Sequence, residues 1–426
     1  MPRILLPNLM FEDELDGTAH RVPALARKSA GQLAAVMGLL APTKSSTASE
    51  ASDIVIVSEN EIPSEIPPAL EHVRFETLGS LSGLNLTEFG FQPWGWSDAA
   101  ITLGRKLGLQ FSTPKADVVR VVNSREFLAP RDGCLSLSPN VTARELPGGR
   151  LCKSVPQVSA ALEEFATLGF SSWVIKSNLS QAARNRVCGD GLVVPISTKN
   201  WVQKRFVGRQ PVYVEPWFER VAECGLQFHV PAISSDDPIE FLGGCEMLTD
   251  DSGRYRGSIV SNSTHGWWDR AIPRCAEIAA TARELGFFGP MGMDCMLVRD
   301  PIERQLWIRP CHDINGRFTM GRVALSLRHW LRPGEIGYWC QGVAKSDVAG
   351  QNLFEQQAGE DVRIIPTSPA RHGSEKTTFQ TALLISADCG RLTTVVSQIL
   401  SQNIRGPFDQ PLASDLSTAA NEKSPP

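Results

Sequence analysis

This sequence predicts an α/β unit followed by α+β units, and three observations carry that reading. Residues 1 to about 122 alternate strand-like apolar runs with segments of helical spacing, the pattern of a mostly parallel sheet with crossover helices. Beyond VVRVVNSREF the pattern changes to a helix and then several strands with short turns such as DDSGR, the pattern of antiparallel pairing. Further on, two apolar runs, MDCMLV and LWIRPCHDIN, flank the acidic link DPIERQ, which reads as a hairpin turn.

The elements follow in order. RILLPNL and DIVIVSE are strands, and ALARKSAGQLAAVMGLL between them has helical spacing. KSSTASEAS (44–52) is a polar loop, and SDAAITLGRKLGL is a helix that stops at Gly108. In SVPQVSAALEEFATLGF, Val158, Leu162, Phe165 and Leu168 share one helical face and Gly169 ends the helix. SSWVIKS reads as a strand, NLSQAARNRVCGDG as a polar loop, and GLVVPI and VYVEPWF as strands. LQFHVPAI, EFLGGCEMLTD and YRGSIVSNS form an antiparallel set. IPRCAEIAATARELG is a helix with Pro273 in its first turn and Gly286 past its end. RVALSLRHWL has helical spacing, and RIIPTS and FQTALLISAD read as strands in an otherwise irregular segment. The polar, Pro- and Ser-bearing tail has the composition of disorder. The predicted divisions are 1–122, 123–205, 206–331, 332–405 and 406–426.

Composition narrows the function classes. A chain of 426 residues has room for two or three domains. A net charge of -4, with no Lys/Arg block, argues against a nucleic-acid partner. No apolar run approaches the roughly 18 residues of a membrane span. The first apolar run is broken by Pro7 and Asn8 and followed by acids, so it reads as a strand and not a signal peptide. The ten cysteines include no Cys-x-x-Cys, and several sit inside apolar patterns. That suits reduced core thiols in a cytoplasmic protein better than zinc or disulfides.

The hairpin carries the chemistry. Side chains alternate along a strand, so Asp313 and Asn315 face the same way. If the two runs pair as antiparallel neighbours, Asp294 joins them on that face. Two carboxylates and an amide oxygen make a hard-oxygen site, of the kind Mg²⁺ takes when nucleotide phosphates also bind it. By the same alternation His312 is expected to point to the opposite face, as a structural residue.

An Asp, a hairpin, and then Glu-x-Asn followed by Arg is the metal-binding signature of the ATP-grasp superfamily, and this segment resembles it. The superfamily includes D-alanine–D-alanine ligase, glutathione synthetase and carboxylase subunits. Here Asp313 stands in the usual Glu position, one methylene shorter, which suits one metal better than two. The resemblance implies an ATP-grasp fold: an N-terminal parallel α/β domain, then two α+β subdomains that clasp the nucleotide. It covers about three quarters of the chain, and phrases such as GPMGMD and INGRFTMG are closest to uncharacterised members.

Further positions match in the family's order. Lys176, ending the strand WVIKS, is implied to meet the α- and β-phosphates. The loop after it, with Ser180, Arg184 and Arg186, resembles the flexible phosphate-covering loop. VYVEPWF resembles the adenine hinge, implying that Glu215 meets the adenine amino group and the backbone of Trp217 and Phe218 its ring edge. Glu223 then matches the acid at the ribose hydroxyls. Arg125 stands where the family has a phosphate-binding Lys, and Arg317 is placed beside the transferring phosphoryl group.

The implied activity is an ATP- and Mg²⁺-dependent ligase, with Mn²⁺ as an alternative metal. It would join a small carboxylate to an amine or thiol through an acyl phosphate, with Arg317 and Lys176 as the catalytic cations. A non-catalytic nucleotide-binding homologue and a kinase on the same fold are the alternatives. Trp94, Trp96, Arg256, Arg309 and His265 are candidate substrate contacts.

Overall fold

The structure is a computed structural model that describes residues 2–40, 54–58, 61–81, 84–137, 145–179, 185–250, 253–343, 361–377, 379–400 and 404–405. The expected loop 44–52 and tail 406–426 lie outside the described residues.

The first domain is built on four parallel strands: β1 (Arg3–Leu6), β2 (Ile54–Ser58), β3 (Arg74–Thr77) and β4 (Gly90–Pro93). Their order is β3-β2-β1-β4, with Ile4 opposite Val55 and Phe91. Ile4, Val55, Ile56 and Phe91 are buried, as a sheet covered on both faces requires. Helices α1 (Phe11–Leu15), α2 (Ala24–Leu33), α3 (Asp98–Lys106), α4 (Ala116–Val122) and α5 (Arg125–Leu128) complete it. Ser97 caps α3 by accepting from the Ala100 N–H at 3.1 Å, and Gly108, at φ +73°, ends it as expected. The helical spacing seen across 24–40 divides into α2 and a 3₁₀ stretch, Ala34–Leu40.

A small antiparallel sheet follows: β5 (Arg150–Cys152), β6 (Ser172–Ser177), β7 (Arg186–Asp190) and β8 (Val212–Pro216), in the order β5-β8-β6-β7. Helices α6 (Val155–Thr167) and α7 (Ile196–Val207) accompany it. Val158, Leu162 and Phe165 of α6 are buried against it, together with Trp173 and Val214. The expected strand GLVVPI does not form. The strand is Arg186–Asp190, inside the predicted loop, and Gly191 at φ +66° ends it. Leu192 and Val193 are exposed, so no burial holds that apolar run extended.

The large sheet comprises β9 (Glu219–Val230), β10 (Glu240–Asp250), β11 (Tyr255–Val260), β12 (Gly289–Arg299), β13 (Leu306–Asn315), β14 (Ile336–Val343), β15 (Arg363–Pro366) and β16 (Phe379–Ser386). Its order is β15-β16-β14-β11-β10-β9-β12-β13, with Leu135–Ser136 on the last edge. Helix α8 (Ile272–Glu284) crosses to β12, and Gly286 follows it at φ +94°. Helix α9 (Met320–Ser326) is shorter than its apolar spacing suggested, because Leu327–Trp330 tightens into a 3₁₀ turn. Segment 332–405 extends the sheet with β14, β15 and β16 and buries Leu392, Val395 and Val396 of helix α10 (Cys389–Leu400) against Tyr338 and Leu384. The C-terminal strands also reach back to the first domain. The Phe379 N–H donates to Gln32 Oε1 at 3.0 Å, and Lys28 pairs with Glu375 at 2.7 Å.

All ten cysteines are free thiols. No helix among the described residues is long and apolar enough to cross a membrane.

Candidate functional site

The DPIERQ link is the predicted hairpin turn. Asp300 Oδ1 accepts from the backbone of Ile302 and Glu303 at 2.7 and 2.8 Å, which closes it. The register then sets Asp294 opposite Asp313 and Gly292 opposite Asn315. All three polar side chains line one cleft of about 840 Å³. Asn315 Nδ2 donates to Asp294 Oδ2 at 3.3 Å. Burial pushes the Asp294 carboxyl up to about 7, helped by the Asp313 charge and opposed by Arg317. Two carboxylates that repel each other beside an amide oxygen form a donor set suited to a hard dication. Among the described residues no group of three or more His, Cys, Asp or Glu side chains could hold a metal.

Lys176 ends β6 and also lines the cleft. Its ammonium pairs with Glu215 Oε1 on β8. Glu215 Oε2 accepts from Arg309 Nη2 at 2.7 Å, and Arg309 forks onto Asp132, with Nε 2.8 Å from Oδ1. The Asp132 carboxylate also accepts from the Tyr213 hydroxyl and, at 2.8 Å, from the Gly149 N–H. Burial alone would raise the Glu215 carboxyl, but Lys176 and Arg309 hold it well below the usual carboxylate range. Arg309, a candidate substrate contact, borders the cleft but has its guanidinium engaged within the protein. It is fully buried and spent between two carboxylates.

The hinge between β8 and β9 is Trp217–Phe218. The Trp217 N–H donates to the Ser172 carbonyl at 2.8 Å, so that donor is unavailable to a ligand edge. Phe218 is buried edge-on against Phe170 at 5.0 Å. Two guanidiniums lie over the Trp217 ring, Arg186 at 5.6 Å and Arg220 at 5.3 Å from its centroid. Arg220 also donates to Glu223 Oε2 at 3.2 Å.

His312 departs from expectation. Asp294 opposes Asp313, but Met296 opposes Arg309, so β13 spends three residues where β12 spends one. That bulge breaks the alternation and turns His312 into the cleft. Its Nε2 is buried, makes no hydrogen bond, and lies 3.9 Å from Glu223 Oε1. Burial, with Arg309 and Lys176 nearby, keeps the ring well below its ordinary titration range and hence neutral.

Arg125 and Arg317 both reach the hairpin. Arg125 Nη2 donates to Asp313 Oδ2 at 3.0 Å and Nη1 to the Ser177 carbonyl at 3.3 Å. Arg317 Nη2 donates to Asn315 Oδ1 at 2.9 Å, and its Nε to Glu12 of α1. Ser180 and Arg184 lie outside the described residues. Arg186 lines the cleft from β7, and Trp94 and Arg256 line it too. Trp96 instead stacks on Phe111 at 5.3 Å, and His265 bonds Glu246 at 2.6 Å and stacks on Trp267. Sequence reasoning missed Glu12, Asp132 and Arg220, and no local motif distinguishes them from ordinary surface charges.

No family model matches the chain, and no curated protein matches it. Solved structures do. N5-carboxyaminoimidazole synthetase from Staphylococcus aureus, complexed with ADP, is similar at a TM-score of 0.50 and 10% identity, over 94% of this chain and 97% of that one. The biotin carboxylase domain of 2-oxoglutarate carboxylase from Hydrogenobacter thermophilus, solved with MgADP and bicarbonate, is similar at 0.50 and 11%, over 94% and 90%. Pyruvate carboxylase from Rhizobium etli is similar at 0.52 and 11%, over 99% of this chain and 39% of that one. The chain has the ATP-grasp fold.

Proposed function

We propose that this protein binds ATP with Mg²⁺ and joins a carboxylic acid to an amine or thiol through an acyl phosphate. The observation that carries the reading is one cleft lined by Lys176, Asp294, Asp313 and Asn315. Asp294, Asp313 and Asn315 would hold the metal, which would neutralise charge on the phosphates. The Lys176 ammonium and the Arg125 guanidinium would meet the phosphates, with Ser180, Arg184 and Arg186 over them. Glu215, the Trp217 carbonyl and the Phe218 backbone would take the base, the Trp217 N–H being held by Ser172. Each Glu215 oxygen keeps a lone pair beside its cation, so it can still accept from an amino group. Glu223 would take the ribose.

The chemistry then balances in two steps. A carboxylate oxygen attacks the γ-phosphorus, and the bond to the bridging oxygen breaks with its electrons leaving on ADP. The amine nitrogen attacks the acyl carbon, phosphate leaves, and the nitrogen's proton passes to phosphate or solvent. Arg317 would hold the acid or the moving phosphoryl group, since positioning and charge are what such transfers need.

The test compares thermal melts with and without ATP and Mg²⁺. Ligand at about 100 times its dissociation constant adds ~2.7 kcal/mol. A Mg²⁺-dependent rise that shrinks in Asp313→Ala is the expected result, followed by ADP release only when acid and amine are both present. For Lys176→Ala, nucleotide binding should weaken by about 1.5–3 kcal/mol, and unchanged affinity would remove its phosphate role. A second reading, nucleotide binding without turnover, is favoured by the Arg125–Asp313 pair, which occupies a candidate metal ligand. ATP-dependent melting shifts with no ADP release under any acid and amine would select it.

A further inference from the structure

The cleft carries a second polar group of residues, remote from the hairpin. The described residues assigned above to nucleotide and metal lie on α5, the small sheet, the hinge, β9, β12 and β13. On the other half of the large sheet, Thr249 of β10, Arg254 just before β11, Arg256 within it and Gln341 of β14 line the same cleft. The ladder brings them together. Thr249 opposes Tyr255, and Gly257 opposes Cys340, so Arg256 and Gln341 are the next residues along that pairing. Gln341 is only 7% exposed, and its Nε2 has no hydrogen-bond partner. The Arg254 guanidinium makes no ion pair or hydrogen bond among the described residues, its backbone N–H alone being held, by Asp250 Oδ1 at 2.9 Å. Arg256 is partly engaged, with Nε 3.1 Å and Nη2 2.9 Å from Asp250 Oδ2. Asp250 thus offsets one of the two guanidinium charges and leaves the other unbalanced. An amide N–H buried without an acceptor is costly, and a ligand oxygen would remove that cost. Spare donors beside surplus positive charge select an anionic oxygen group.

We propose that Arg254, Arg256, Thr249 and Gln341 form an anion subsite, and that the acid substrate carries a second anionic group, a carboxylate or a phosphate, which binds there. The inference rests on the ligase reading above for which end of the cleft reacts. The subsite itself rests on its own unengaged donors. Nucleotide phosphates are a poorer match, because Lys176 and Arg125 stand on the opposite side of the sheet from β11. β12, which carries Asp294, and β11 are three strand spacings apart, roughly 14 Å at about 4.8 Å each. Side chains reaching in from both ends shorten that gap without closing it. The two anionic groups of the substrate are therefore several bonds apart, and a diacid as short as malonate should not join the two ends.

The experiment is calorimetric titration of adipate, its monomethyl ester, 5-phosphonopentanoate and malonate. Each is run on the protein loaded with Mg²⁺ and a non-hydrolysable ATP analogue, and again on the protein alone. Adipate or 5-phosphonopentanoate should bind roughly tenfold or more tightly than the monomethyl ester, which has the same length and one charge fewer, with malonate no better than the ester. The tighter of the two dianions identifies the group as carboxylate or phosphate. Arg254→Met and Gln341→Leu should each remove most of the dianion's advantage while leaving the monomethyl ester and the ATP analogue unchanged. Arg254 is exposed, so its variant is expected to fold even if the Gln341 variant does not. Equal binding of both dianions and the ester, or a dianion advantage that survives both variants, would overturn the proposal. So would loss of analogue affinity in Arg254→Met, which would assign the cations to the nucleotide. If the analogue fails to bind the wild type, the ligase reading fails, and the titrations on the protein alone still decide whether the anion subsite exists.

Discussion

Arg125 Nη2 lies 3.0 Å from Asp313 Oδ2, joining the short helix that precedes the small sheet to the hairpin that carries the candidate metal ligands. The Arg125 guanidinium is buried, while the Asp313 carboxylate it holds is partly exposed to the cleft. In the proposed site Arg125 would compete with a cation for Asp313 until phosphate drew it away. Arg125→Met is expected to bind Mn²⁺ more tightly in the absence of nucleotide, by about 1 kcal/mol, and ATP more weakly. A Mn²⁺ titration followed by electron paramagnetic resonance checks it, and equal metal affinity in both proteins would refute the competition.

Asp294 makes the metal-free protein sensitive to pH. Its folded carboxyl titrates at about 7, against an ordinary 3.8, so the folded state binds the extra proton between those values. The stability this group contributes is present below about pH 4 and is lost as the pH rises to 7. Asp294→Asn should be more stable than the wild type at pH 8 without metal, by roughly 1 kcal/mol or more. Metal binding, which needs the carboxylate, should strengthen as pH rises through 7. Urea melts of both proteins at pH 5 and 8 test the first part, and the absence of a pH-dependent difference would count against the raised Asp294 carboxyl.

His312 carries the opposite sign. Its folded ring titrates well below 6.5, so its contribution is present above that value and is lost as the pH falls below it. His312→Gln should unfold less readily on acidification from pH 6.5 than the wild type. An acid titration monitored by circular dichroism decides it, and identical acid midpoints would mean that the ring is not held neutral by its surroundings.

Arg309 lies between Asp132 and Glu215 with almost no exposure, and removing it strips the buried Asp132 carboxylate of its cation and leaves Glu215 with Lys176 alone. Arg309→Met should cost about 3–5 kcal/mol of stability, the usual penalty for orphaning a buried charge. A double variant, Arg309→Met with Asp132→Asn, should recover part of that loss. No recovery in urea unfolding would show that the pair is not the source of the penalty.

The hairpin site was legible because its signal is local. Asp294, Asp313 and Asn315 lie within about twenty residues, strand alternation fixes the face of the last two, and a single turn sets the pairing register. Lys176 was legible for a related reason, as a cation at the end of an apolar strand next to a polar loop. His312 was misread because alternation holds only while the ladder is regular, and a bulge is decided by both strands at once. The expected strand at 191–196 failed because apolar composition does not reveal whether a partner will cover it, and Leu192 and Val193 remain exposed.

By itself the sequence determined the succession of elements and which oxygen-bearing side chains share the hairpin, since period, turn residues and side-chain chemistry are properties of short segments. It also determined the parallel character of the first sheet through the alternation of its strands and helices. Only the tertiary structure decided the partners. Glu12 meets Arg317 across 305 residues, Arg125 meets Asp313 across 188, and Arg309 meets Asp132 across 177. Nothing in a short segment encodes such pairings, because a buried charge needs an opposite charge nearby in space and is indifferent to how far along the chain it comes from.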